Sequence, residues 1–229
     1  DRDLWRRRAG YYHAQIESLL RHIIPENQSV VEVGCGTGDL ISALRPKSGV
    51  GLDFSPKMVE GARKKYPNLR FEVADIEALT IEQTFDYVVL TDVIGSLADT
   101  WSAFRNLRKL CHGSTRLVIT HYNYLWEPII RLAEFLGLKA RQPLQSWLTL
   151  GDIENFLWLN GFRVTQADFH VLMPIWIPGL SYLFNRVIAH LPGIRRLCMV
   201  QYLVARLEPP DSSPRNLPAV SIMVPCRDE

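Results

Sequence analysis

The chain has 229 residues, enough for one domain with its core and short for two. Apolar residues make up 47% and charged residues 22%, which excludes a disordered chain. Basic side chains number 26 and acidic ones 24, a net +2 that is too even to indicate nucleic acid or another polyanion as partner.

Tyr11 to Ile24 has helical spacing, with Ile16, Leu19, Leu20 and Ile23 as its apolar stripe and Pro25 as its stop. Ser29 to Val33 is a β-branched run ending at Gly34, apolar on both faces as a buried parallel strand is. Helical spacing resumes from Thr37 to Leu44. A second strand, Gly49 to Leu52, ends at Asp53, and Ser55-Pro56 opens a helix through Lys65 with Ser55 as the expected N-cap. Leu69 to Ala74 is a third strand ending at Asp75. Phe85 to Leu90 is a fourth and runs into Thr91-Asp92. Asp99 caps a helix to Leu110, and Arg116 to Thr120 is a fifth strand. Strands and helices alternating at these intervals predict an α/β fold: a three-layer, mostly parallel sheet with helices on both faces.

The remainder is less regular. Helices are expected over Tyr124–Leu136, with Pro128 in the first turn, and over Leu150–Leu159, capped from Thr149 or Asp152. Phe162–Val171 and Val200–Leu207 form a hairpin-like pair, which places an antiparallel strand at the end of the sheet. Between them, Pro178–Leu191 sets Leu180, Leu183, Phe184, Val187, Ile188 and Leu191 on one helical stripe, opposite Ser181, Asn185, Arg186 and His190. The expected packing is a helix hairpin over the core; a flap over an apolar substrate, a dimer face or a peripheral membrane contact are the alternatives. Residues 1–208 read as a single domain, with a core over 28–122 and cap elements at 1–27 and 124–197. A Pro-rich tail covers 209–229, in which Ala219–Val224 could form an extra strand.

The sharpest signal is Val31-Glu32-Val33-Gly34-Cys35-Gly36-Thr37-Gly38, a glycine loop that follows a strand and opens a helix. Gly34 and Gly36 allow a ligand close to the main chain, and Gly38 leaves room at the helix start. A dinucleotide fingerprint requires a further glycine where Asp39 stands, and a carboxylate there sits badly against a pyrophosphate. No Gly-Lys-Ser/Thr follows, which excludes a phosphate-loop NTPase. The loop therefore suits a nucleoside without phosphates. Asp53, at the next strand end, can accept both ribose hydroxyls, and Phe54 can cover a ribose or adenine face. Asp75 can accept the adenine amino group while Ile76 offers its backbone N–H. Glu32 points into the same crevice, toward loop amides or a ligand ammonium.

In sequence order, Val31–Gly38, Gly51-Leu52-Asp53, Ala74-Asp75-Ile76 and Phe85–Asp92 resemble the motifs of class I S-adenosylmethionine-dependent methyltransferases, over residues 28–122. The resemblance implies a seven-stranded sheet whose last strand is antiparallel, with S-adenosylmethionine as cofactor. It also implies that Gly34, Gly36 and Gly38 line the methionine part, with Cys35 between them as a small filler. Asp53 then holds the ribose, Asp75 and Ile76 the adenine, and Thr91 and Asp92 flank the sulfonium and amino acid. Methyltransferases acting on base or glutamine amino groups typically carry Asn/Asp-Pro-Pro-Tyr/Phe where this chain has Thr91-Asp92-Val93-Ile94, which argues against nucleic acid as substrate.

In-line transfer of a sulfonium methyl needs alignment, desolvation and, for a hydroxyl acceptor, a base. Candidate catalytic groups are His121, expected just past the fifth strand, Asp92, and His13 in the Tyr11-Tyr12-His13 cluster, where Tyr12 or His13 closes over the cofactor. Trp126, Trp147 and Trp158 are candidates to line an acceptor pocket. The Trp-, Leu- and Ile-rich region from Tyr124 to Arg206 favours a small apolar or amphipathic acceptor. A lipid-like acceptor at a membrane and an inactive cofactor-binding partner subunit are the alternatives. No cluster has metal-ligand spacing. Cys35, Cys111, Cys198 and Cys226 are too scattered for a disulfide scaffold and suit a reducing, cytoplasmic compartment. No apolar run reaches the roughly 18 residues of a membrane span. The start at Asp1, with neither Met nor a signal peptide's apolar stretch, reads as trimmed or partial.

Overall fold

Seven strands line up in the order β3-β2-β1-β4-β5-β7-β6 in a computed structural model that describes residues 10–137 and 146–208. The strands are β1 (Ser29–Val33), β2 (Ser48–Asp53), β3 (Arg70–Val73), β4 (Phe85–Thr91), β5 (Cys111–Tyr122), β6 (Phe162–His170) and β7 (Val200–Leu207). β1 to β5 pair in parallel, while β7 runs antiparallel to both β5 and β6. The chain order reverses between β1 and β4, so the carboxyl ends of these strands border the crevice where open α/β sheets bind ligands.

Strand alternation sends side chains to two cores. Val31, Val33, Leu90, Leu117, Ile119 and Leu203 meet Ala103, Phe104 and Leu107 of α4 (Thr100–Leu107) and Ile153 and Leu157 of α6 (Leu150–Leu159). On the other face Val30, Val89, Val118 and Val204 meet Tyr12, Ile16 and Leu20 of α1 (Gly10–Ile23) and Ile130 of α5 (Glu127–Phe135). A smaller cluster of Cys35, Ile41, Val59, Ala62 and Phe71 joins α2 (Asp39–Ala43), α3 (Pro56–Lys65) and β3. Helices thus cover both faces of the sheet, as the alternation of elements predicts.

Several local expectations change. Ser55 stands at the N-cap of α3 but makes no side-chain cap bond; Asp53 Oδ1 accepts from the Ser55 N–H at 2.9 Å instead. β5 runs well beyond its apolar run, since Cys111 pairs with Phe85 and Tyr122 with Val200. The expected helix over 178–191 is only α7 (Leu180–Arg186), followed by a 3₁₀ turn, Ile188–His190. Its apolar stripe does not close over the core as a helix hairpin would: Leu180, Leu183, Val187 and Leu191 are exposed and Phe184 and Ile188 half-buried, while Ser181 is buried. The tail over 209–229, with its expected strand Ala219–Val224, lies outside the described residues.

Candidate active site

The loop after β1 turns on glycines that no other residue could replace without movement. Gly34 has φ +75°, and a Cβ there would come within 2.3 Å of Val93 Cγ2. Gly38, the N-cap of α2, has φ +76°, and a Cβ would lie 2.6 Å from the Phe71 ring. A Cβ on Gly36 would meet nothing within 4 Å, so the loop is open on that side. Cys35 contributes shape only. Its N–H donates to Leu52, its carbonyl accepts from Gly38, and its side chain is buried among Ile41, Val59 and Phe71. Burial and the nearby Glu32 and Asp53 carboxylates push its thiol far above the ordinary range, the opposite of an activated nucleophile.

Asp53 ends β2 directly across from this loop. Its Oδ2 accepts from the Gly36 N–H at 2.8 Å and its Oδ1 from Ser55, so the carboxylate is held rigidly and each oxygen keeps a lone pair for another donor. Beside it Phe54 is 74% exposed, an unusual position for a large apolar ring. Asp75 follows β3 and caps the 3₁₀ turn Ile76–Ala78 by accepting from Glu77 N–H at 2.9 Å. Ile76 is buried beneath it. Glu32 is buried, and its Oε2 accepts from Ile41 N–H at 3.0 Å, tying β1 to α2. Asp39 turns its carboxylate to Thr37, Tyr66 and Lys65, so the start of α2 is already occupied by negative charge.

At the ends of β4 and β5, Tyr12 of α1 donates to Asp92 Oδ2 at 2.5 Å. Asp92 has φ +56°, a left-handed conformation that Asp tolerates better than most residues. Tyr122 lies against Tyr12, with ring centroids 5.8 Å apart. Burial first, then the Asp92 charge, raises both phenols well above the usual tyrosine value, which keeps them protonated donors. Thr91 and Thr120 are paired in register, and their buried hydroxyl oxygens have no partner among the described residues. His13 packs edge-on to Tyr12 and, with Thr91, Asp39 and Leu40, lines a cleft of about 50 Å³ between α1 and α2.

His121 is not past the strand but inside it, paired with Gln201 of β7. Alternation puts it on the opposite face of β5 from Thr120 and Tyr122. It is buried, its Nε2 has no partner among the described residues, and desolvation lowers its pKa to about 4. The imidazole is therefore neutral at neutral pH. Of the three tryptophans, Trp126 and Trp147 pack against the α1-side core, and Trp158 is exposed on α6. Among the described residues no group of three or more His, Cys, Asp or Glu is placed to hold a metal ion.

The structure thus brings Tyr12, Glu32, the glycine loop, Asp53, Thr91 and Asp92 to one crevice, with His13 at its edge and His121 turned away. It adds Tyr122 and Thr120, which the sequence signals only through their two-residue spacing on β5. These residues fit S-adenosylmethionine: an open loop face at Gly36, a fixed carboxylate at the β2 end, and the buried hydroxyls of Thr91 and Thr120 with no partner among the described residues.

Sheet order, glycine loop and carboxylates define a class I S-adenosylmethionine-dependent methyltransferase fold. A methyltransferase-domain family profile matches residues 4–167, and the chain belongs to that family. It is 34% identical to the malonyl-[acyl-carrier protein] O-methyltransferase of Bacillus anthracis over 179 residues, which are 73% of this chain and 64% of that one. It is 33% identical to the trans-aconitate 2-methyltransferase of Methylobacterium radiotolerans over 120 residues, 51% of this chain and 46% of that one. The chain therefore spans about half to two thirds of the length of these curated relatives. Among solved structures, an S-adenosylmethionine-dependent methyltransferase from Mesorhizobium loti superposes with TM-score 0.62 at 20% identity, covering 82% of this chain and 96% of that one.

Proposed function

We propose that this chain transfers the methyl group of S-adenosylmethionine to a small apolar or amphipathic acceptor by in-line displacement. The observation that carries this reading is the convergence of the Gly34–Gly38 loop, Asp53 and the Tyr12–Asp92 pair on one crevice at the carboxyl ends of β1, β2 and β4. S-adenosylmethionine, when bound, supplies a methyl group made electrophilic by the sulfonium charge.

Asp53 accepts the ribose hydroxyls, and Phe54 lies over the ribose or adenine. Asp75 takes the adenine amino group, and Ile76 N–H the ring. Gly34, Gly36 and Gly38 admit the methionine arm, with Glu32, Thr91 and Asp92 around it. Tyr12 and Tyr122 keep water from Asp92, and transfer, which neutralises charge, gains from such dryness. His13 is placed at the mouth of the cleft for a proton on the acceptor. His121, neutral and on the other face of β5, takes no part in the transfer. The two curated relatives are named for unlike acceptors, malonyl-[acyl-carrier protein] and trans-aconitate, so acceptor choice falls to the cap over 124–197. The buried free thiols Cys35, Cys111 and Cys198 support a reducing, cytoplasmic setting.

The test is radiolabelled methyl transfer from S-adenosylmethionine into a cell extract, followed by partition into organic solvent. Label in the organic phase is expected. Label confined to water overturns the acceptor class, and no incorporation at all favours a cofactor-binding partner subunit.

A further inference from the structure

The segment over 172–197 buries polar side chains while leaving much of its apolar surface exposed. Ser181, 2% exposed, points inward: its Oγ accepts from Ile177 N–H at 2.6 Å and donates to Ile175 C=O at 2.8 Å. One turn later Asn185 does the same. Its Oδ1 accepts from Leu172 and Met173 N–H at 2.8 Å each, and its Nδ2 donates to Met173 C=O and the Tyr11 hydroxyl. The polar pair therefore braces the loop and anchors it to α1. The apolar side chains are left outside: Ile175 is 67% exposed and Trp176 64%, with Ile177, Leu180, Leu183, Val187, Leu191 and Leu197 also exposed. Ile175-Trp176-Ile177 stands between Pro174 and Pro178, a stiff apolar tip that cannot join a central strand. The excursion begins at Val171, whose φ of +60° is strained for a β-branched residue, so its direction is held rather than free. So many exposed apolar side chains within one segment mark an interaction face.

Charge selects the occupant. Between Asp168 and Glu208 the sequence contains no carboxylate, although acidic and basic residues are near balance over the whole chain. Arg186, Arg195, Arg196 and Arg206 all fall in that interval, as do His170 and His190. Asp168 itself is paired with Arg195. A second copy meeting the same face across a two-fold axis would set these arginines against one another. An anionic surface with an apolar interior complements both the cations and the exposed Trp, Ile and Leu.

We propose that the outward face of residues 172–197 docks on anionic lipid bilayers, with Ile175, Trp176 and Ile177 inserted at the acyl boundary and Arg186 and Arg196 at the headgroups. This goes beyond the methyl-transfer reading and is measured without turnover. The full chain is sedimented with vesicles of phosphatidylcholine alone and of phosphatidylcholine mixed with phosphatidylglycerol. Binding to the mixed vesicles alone, weakened by salt, is expected. Ile175→Ser with Trp176→Ser, and separately Arg186→Gln with Arg196→Gln, should each lower vesicle affinity roughly tenfold or more, with circular dichroism and S-adenosylhomocysteine affinity unchanged. Absence of vesicle binding, equal binding to both lipids, or binding that survives both double variants overturns the proposal. So does a dimer in the ultracentrifuge that Ile175→Ser with Trp176→Ser dissolves, which would assign the face to a second copy. Loss of S-adenosylhomocysteine binding in the unaltered chain would instead strike the methyl-transfer reading and leave the vesicle result standing.

Discussion

Tyr12 and Asp92, far apart in sequence, meet at 2.5 Å where α1 crosses the end of β4. The bond joins the first described helix to the strand end that borders the cofactor crevice, and Asp92 sits there in a left-handed conformation. Tyr12→Phe keeps the ring against Tyr122 and removes only the donor. Hydrogen bonds to charged groups contribute about 1.5–3 kcal/mol, so a drop of that order in urea-unfolding stability is expected. An unchanged midpoint at unchanged slope would show that the tie carries no stability.

Asp53 serves two amides of the protein and, in the proposed function, the ribose. Asp53→Asn keeps one acceptor oxygen, which limits damage to the loop while removing the charge and half the accepting capacity. S-adenosylhomocysteine affinity by calorimetry should fall roughly tenfold to a hundredfold, the equivalent of about 1.4–2.8 kcal/mol. Undiminished affinity would falsify the ribose assignment.

His121 gives a pH prediction with a definite sign. Its folded pKa is lowered to about 4 from the ordinary 6.5 because burial disfavours the imidazolium. As pH falls below 6.5 the unfolded chain takes up a proton that the folded chain refuses, so stability is lost between about 6.5 and 4. The size is on the order of 3 kcal/mol. His170 is shifted the same way, first by burial and then by His190 and Arg186, so the comparison must be between variants. Urea unfolding at pH 7 and pH 4.5 should show a smaller acid loss in His121→Gln than in the unaltered chain. Equal acid losses would mean that the buried imidazole is already protonated or reached by water.

Much of the scaffold is legible because burial on both faces leaves a β-branched run in Ser29–Val33, which coincides with β1, and Val200–Leu207, mostly apolar, coincides with β7. The glycine loop was legible because strand, turn and helix each carry their own residue signature. The limits of β5 were not. Its ends, from His112 to Ser114 and at His121, are polar; the pairs Cys111 with Phe85 of β4 and His121 with Gln201 of β7, rather than hydropathy, set its limits. For the same reason His121 reads as lying just past the fifth strand, when it is inside β5 and strand alternation turns it to the other face from Thr120 and Tyr122. The orientation of α7 is not legible for a different reason. Periodicity shows that one stripe is apolar but not which stripe faces inward, and here Ser181 and Asn185 satisfy loop amides that leucines could not. Tyr122 became visible as a partner of Tyr12 only in three dimensions.

Gly34 separates two costs that a single substitution confounds. Gly34→Ala places a Cβ 2.3 Å from Val93 Cγ2 and also forces a non-glycine residue to φ +75°. The backbone term alone is about 1–2 kcal/mol, and overpacking adds typically 1–3 kcal/mol. Val93→Ala deletes the clashing methyl but leaves the backbone term untouched. The double variant should therefore recover the steric part only, remaining below Val93→Ala in stability by about 1–2 kcal/mol. Thermal unfolding of the four proteins closes the cycle. Full recovery would mean that the loop relaxes its dihedral at no cost, and no recovery would place the clash elsewhere than Val93. S-adenosylhomocysteine affinity measured on the same four proteins then reports whether the left-handed turn, rather than the space around it, shapes the crevice: affinity should stay depressed in the double variant.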